Sequence, residues 1–193
     1  MRTGGLVFFF DYVDPISYLL AGELADALPD LDVGPLRWSA LELRPPPEPL
    51  LHPADPWWAE RWASAIALPA QRGLCRVKTA VVPWTRKAHE LALHAESEGL
   101  GEEVHLALFD AFFQRGLDIG RIDVLLEIAG GLGLAPRETR VVLDVDRYAA
   151  DVSALGAFAR RLGIGSPPAL ALGTRVLEGF HNGNALRTFL RSP

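Results

Sequence analysis

The sequence predicts an α/β domain whose two ends build a sheet and whose middle is helical. Two observations carry this. Leu6-Val7-Phe8-Phe9-Phe10 is an unbroken apolar run that leads, through Asp11-Tyr12-Val13, straight into helical spacing from Asp14-Pro15 onward. Near the other end, Ala169-Leu170-Ala171-Leu172 and Arg175-Val176-Leu177-Glu178 flank Gly173-Thr174, the pattern of a β-hairpin. Between them, residues 57–68, 84–98, 101–115, 121–133 and 145–162 repeat their apolar positions at helical spacing.

Each element has a local reason. An apolar run of this length suits a strand buried on both faces. Asp14 then Pro15 is the pair a helix start prefers, an acceptor followed by a residue without the unusable N–H. Asp32-Val33-Gly34-Pro35-Leu36-Arg37-Trp38 reads as a second strand, parallel to the first across the intervening helix. Pro45-Pro46-Pro47-Glu48-Pro49 is a stiff extended linker that leaves the sheet. Ser97-Glu98-Gly99 and Gly130-Gly131 fall near helix breaks, and Asp144-Val145-Asp146 reads as the start of the last middle helix. A final helix is expected from Gly183 to Arg191, with Asn182 as its cap.

Phe10-Asp11-Tyr12-Val13-Asp14-Pro15-Ile16-Ser17-Tyr18-Leu19 resembles the opening of the DsbA/FrnE-like branch of the thioredoxin superfamily, where an aromatic strand runs into Cys-Pro-x-Cys. Asp14 stands in the first cysteine's place and Ser17 in the second's. Pro83 to His89, and Ala107 to Phe113 through Leu134, resemble the family's helical insertion. Leu162-Gly163-Ile164-Gly165-Ser166-Pro167-Pro168-Ala169-Leu170 resembles its Gly-Val-Pro-Thr-Phe element, and Gly179-Phe180-His181 stands where Gly-Ala-Gln is usual. The resemblance implies a thioredoxin fold with an α-helical insertion, residues 1–44 and 162–193 forming the thioredoxin-like part and 45–161 the insertion. It also implies a cis peptide bond. Aligned on Gly165, that bond falls at Ser166–Pro167 and exposes the Ser166 backbone beside Asp14.

The departures fall on the reactive positions. Cys75 is the single cysteine of the chain, so no intramolecular disulfide can form and dithiol exchange has no second thiol. Asp14 reads two ways, as a helix cap or as a general base or electrostatic anchor at the head of a cleft. Ser17 reads as a first-turn hydroxyl, or as a nucleophile that still needs a base. The resemblance extends to 2-hydroxychromene-2-carboxylate isomerases and kappa-class glutathione transferases, which carry Ser-Pro-x-Ser at this junction and make glutathione a candidate ligand. An ionised Asp14 about 4 Å from a thiolate would repel it by up to about 4 kcal/mol at an effective dielectric near 20. The expected site is therefore a cleft of Asp14, Pro15, Ser17, Ser166 and Pro167, with Trp58 and His181 at its edge. It binds a small molecule or peptide without dithiol chemistry. A glutathione-dependent isomerase or transferase is the alternative, and a scaffold or dimerisation module is a third reading.

Composition bounds the partners. The formal charge of −5 gives no electrostatic footing for nucleic acid. The first apolar run is shorter than a secretory h-region and no window approaches a membrane span, so a cytoplasmic protein is expected. The sequence allows a homodimer. His89 and His94 are five apart and off one helical face, and His52, His105 and His181 lie in separate segments, so no metal site is expected. Trp58, Trp62 and Ile66 share a helical stripe that packs into the core or, if the insertion caps the cleft, lines a pocket.

Overall fold

The sheet is built first from β1 (Leu6–Phe10), which pairs on one side with β2 (Arg37–Ala40) and on the other with β3 (Ala169–Leu172). The computed structural model describes residues 5–69, 74 and 81–191, so Cys75 lies outside the described residues. β1 and β2 are parallel, with Phe8 opposite Trp38. β1 and β3 are antiparallel, with Phe8 opposite Leu170. β4 (Arg175–Glu178) closes the hairpin, giving the order β2-β1-β3-β4.

Alternation along β1 explains why its run is apolar throughout. Leu6, Phe8 and Phe10 point into the larger core, and Phe9 points to the other face, where it meets Leu41, Ala159, Ile164 and Ala169. Eight helices surround this strand among the described residues: α1 (Pro15–Ala27), α2 (Pro56–Ile66), α3 (Arg86–Ser97), α4 (Gly101–Phe113), α5 (Ile122–Gly131), α6 (Pro136–Asp144), α7 (Ala149–Arg161) and α8 (Gly183–Arg191). α3 and α4 pack on each other, α7 lies against β2, and α8 lies against α1. This is the thioredoxin arrangement with helices inserted between β2 and β3.

Three local expectations are corrected. β2 begins at Arg37 rather than Asp32, because Gly34 turns at φ 73° ahead of Pro35 and keeps the preceding residues off the sheet. Residues 136–144 form a separate helix, α6, which opens on Pro136 and buries Thr139, Val142 and Leu143. Consequently Asp144 ends a helix instead of starting one. Asp146 sits at φ 54°, and α7 starts only at Ala149. Trp58 is core, buried with Trp62 packed against the same cluster. The final helix spans Gly183–Arg191, and the Asn182 side chain accepts from the Ala185 N–H.

Candidate ligand cleft at the start of the first helix

The site begins with the cap of α1. Asp14 is in extended conformation and fully buried; its carboxylate accepts from the Ser17 N–H at 2.9 Å and, more weakly, from the Ile16 N–H at 3.4 Å. The Ser17 hydroxyl donates to the same carboxylate at 2.6 Å and accepts from the Asp11 N–H at 3.4 Å. The structure thus brings Asp14, Pro15 and Ser17 together as the sequence implied, and it closes them in. Asp14 and Ser17 have no exposed surface, so Ser17 has an acceptor in reach for its proton but no substrate can reach its oxygen.

The decisive residue is Arg61 of α2. Its Nε donates to Asp14 Oδ1 at 2.7 Å, and its Nη2 donates to the Pro167 carbonyl. One guanidinium therefore bridges the cap of α1 to the turn that enters β3. Burial pushes the Asp14 carboxyl above its ordinary range, while Arg61 and the Ser17 hydrogen bonds pull it back toward ionisation. The repulsion expected between Asp14 and a thiolate overlooked this countercharge, 47 residues away in sequence.

The cis bond is the other correction. It lies at Pro167–Pro168, one bond after the expected Ser166–Pro167, and a second occurs at Pro46–Pro47 in the proline linker. The register of the hairpin sets this position: Pro168 immediately precedes β3 and its carbonyl accepts from the Gly179 N–H at 2.8 Å. The residue before the cis proline is thus Pro167, which has no N–H to offer and whose carbonyl already accepts from Arg61. Ser166 is exposed, and its hydroxyl makes a long 3.3 Å contact to the Pro167 carbonyl.

What stays open is a cavity of about 420 Å³ beside this bridge, lined by Arg61, Ser64, Ser166, Pro167 and Phe180 among others. Arg61 Nη1 has no hydrogen bond among the described residues, and the side chain is 17% exposed. Of the expected site residues, Ser166 and Pro167 line this cavity. Asp14, Pro15 and Ser17 lie behind it, Trp58 is in the core, and His181 is half-buried with Nε2 on the Glu178 carbonyl. Sequence reasoning missed Arg61. Its signal was spacing: it lies three residues after Trp58 and four before Ala65, the two buried positions of α2, so a charge sits on the buried face.

A second polar cluster lies beyond the same junction. The Tyr12 hydroxyl and His105 Nδ1 are 2.5 Å apart, and His105 Nε2 lies 3.3 Å from Glu96. His89 Nε2 faces Asp11 at 3.5 Å, and neither atom has a hydrogen bond. Aromatic rings surround the group, with Trp38 stacked on His105 at 4.3 Å.

A strand running into a helix capped beside a cis-proline turn, on a β2-β1-β3-β4 sheet with inserted helices, defines a thioredoxin-fold protein of the DsbA type. The DSBA-like thioredoxin domain matches residues 5–191, and the chain belongs to that family. It is 32% identical over 167 residues to YwbO of Bacillus subtilis, covering 78% of this chain and 83% of that protein. Among solved structures it is similar to a probable DsbA oxidoreductase, SCO1869 of Streptomyces coelicolor, at a TM-score of 0.84 and 21% identity, covering 98% and 92% of the two chains. It is also similar to the cytosolic disulfide reductase DsbM of Pseudomonas aeruginosa, solved with GSH, at a TM-score of 0.69 and 22% identity over 95% and 92%. None of the described helices is long and apolar enough to cross a membrane.

Proposed function

We propose that this chain is a DsbA-family protein that binds a small molecule or peptide at the Arg61 cleft without dithiol chemistry. One observation carries the reading. The two positions that would hold the reactive pair are Asp14 and Ser17, both buried and hydrogen-bonded to each other, while Arg61, whose Nη1 has no hydrogen bond among the described residues, lines a cavity beside the cis-proline turn. The cavity offers a guanidinium donor, the Ser64 and Ser166 hydroxyls and the Phe180 ring. With Glu178 also in the lining, those groups suit an uncharged ligand with a carbonyl acceptor and an apolar neighbour. No group there requires sulfur.

Titration with N-acetyl dipeptide amides, followed by amide chemical shifts, tests this. Shifts should move at Ser64, Ser166 and Phe180, and Ser64→Trp should abolish them by filling the cavity. Reduction of insulin disulfides by the purified protein, or peptide shifts that ignore Ser64→Trp, would overturn it.

A further inference from the structure

At the opposite end of α1, a helix about 20 Å long, lies a larger groove that has no part in the Arg61 cleft. It encloses about 700 Å³ between the C-terminal half of α1, the start of β2, and α3, α4 and α7. That volume is within the range of small-molecule sites, about 300–1,000 Å³. Its walls are mostly aliphatic, with Leu24, Leu28, Leu36, Leu93 and Leu155, and with Leu106 left 53% exposed. Half-buried Trp38 completes the wall, stacked flat on His105.

The polar end of the groove is organised by Glu96. A carboxylate only accepts, so the His105 nitrogen facing it, Nε2, carries the proton. Nδ1 is then the acceptor, and the Tyr12 hydroxyl donates to it. Burial holds His105 below its ordinary range and Tyr12 above its own, so both stay neutral. The hydrogen-bonded chain Tyr12–His105–Glu96 therefore ends in the Glu96 carboxylate. That carboxylate is 40% exposed at the groove wall, and Oε2 has no partner among the described residues. Glu102 adds a second carboxylate to the lining and Arg37 a single countercharge, with no ion pair from Arg37 to either among the described residues.

We propose that this groove is a binding site for a hydrophobic amine, its protonated nitrogen on Glu96 and its apolar body along Leu28, Trp38 and Leu106. The aliphatic walls exclude a strongly hydrated ligand, and the excess of carboxylate selects against an anion. Nothing in this assignment depends on the Arg61 cleft.

The test uses the full chain and three isosteric probes: 4-phenylbutylamine, 4-phenylbutanol and 4-phenylbutyrate, by calorimetry and amide chemical shifts. The amine should bind saturably, about tenfold tighter than the carboxylate and at least threefold tighter than the alcohol, with shifts at Leu28, Trp38 and Leu106. Glu96→Gln should weaken the amine about fivefold and leave the alcohol unchanged. Leu106→Arg, at an exposed position that does not threaten folding, should abolish binding of the amine. The inference is overturned by an amine bound no tighter than the alcohol, by no saturable heat at about 10 mM amine, by binding that neither substitution changes, or by shifts confined to Ser64, Ser166 and Phe180.

Discussion

Six residues, Asp11 to Ile16, separate Phe10 from Ser17, and they face two buried polar clusters built on opposite principles. On one side Asp14 is held by a full cation, two backbone N–H groups and a hydroxyl. On the other, Tyr12 joins a hydrogen-bonded chain through His105, while Asp11 and His89 face each other with one unmatched atom apiece. In the first cluster both oxygens of the Asp14 carboxylate are bonded and its partner is a cation; the second is aromatic and incompletely bonded. The difference shows how this chain handles the position where its family places reactive thiols. The Asp14 carboxylate at the helix start is matched internally, by Arg61 of α2, and has no surface left to meet a substrate.

The largest effect should come from breaking the ionic cluster. Arg61→Ala leaves the Asp14 carboxylate buried without its cation, and chemical denaturation should show a loss of about 3–5 kcal/mol. Pairing Asp14→Asn with Arg61→Met keeps a competent cap and an apolar stem, so the double variant should recover to within about 1.5 kcal/mol of the parent. A double variant as unstable as the single would mean that Arg61 acts through packing alone.

Breaking the aromatic cluster should cost less. Tyr12→Phe removes one hydroxyl and strands His105 Nδ1, for an expected loss of about 1–3 kcal/mol in the same assay. A loss as large as that of Arg61→Ala would erase the distinction between the clusters.

Smaller still, and opposite in sign, are the pH contributions. Asp14 has a folded-state pKa above its unfolded value, so the folded state holds the proton more tightly. Its contribution to stability is present at low pH and declines as pH rises from about 3.8 through the folded value. His105 is lowered, by burial and by His89 against the pull of Glu96. The unfolded chain binds its proton first, so stability is full above about 6.5 and falls as pH drops below that value. Melting curves across this range should lose the acid-side decline in His105→Phe and the opposite slope in Asp14→Asn. Unchanged slopes in both variants would contradict these assignments. The smallest expected effect is none: Cys75→Ser should leave insulin reduction at the background level, since a single thiol cannot complete dithiol exchange.

Much of the fold was legible because its signals are local. Phe8-Phe9-Phe10 announces a strand with two dry faces, Asp14-Pro15 a helix start, and Gly173-Thr174 a hairpin, and each is where the sequence places it. α6 was overlooked although Pro136 marks its start, because its apolar face is short, Val142 and Leu143 with Thr139. The site was legible only by half. Asp14, Ser17 and Pro167 follow from motif order, but Arg61 reaches them through tertiary packing of α2, which no local pattern encodes beyond a charge on a buried stripe. His89 and His105 look unrelated at a spacing of 16 residues. They converge because α3 and α4 pack together against Phe10 and Tyr12.

The most direct test of a thiol-free cleft is a calorimetric comparison of glutathione with S-methyl glutathione between pH 6 and 9. With Asp14 bound to Arg61 and Ser17 buried, the sulfur has no partner at the helix start. The expected result is that the two peptides give the same isotherm, or the same absence of heat, at every pH. Glutathione binding tenfold or more tighter than its methylated form, with the gap widening as the thiol ionises, would contradict it. That result would mean that a thiolate does reach the start of α1.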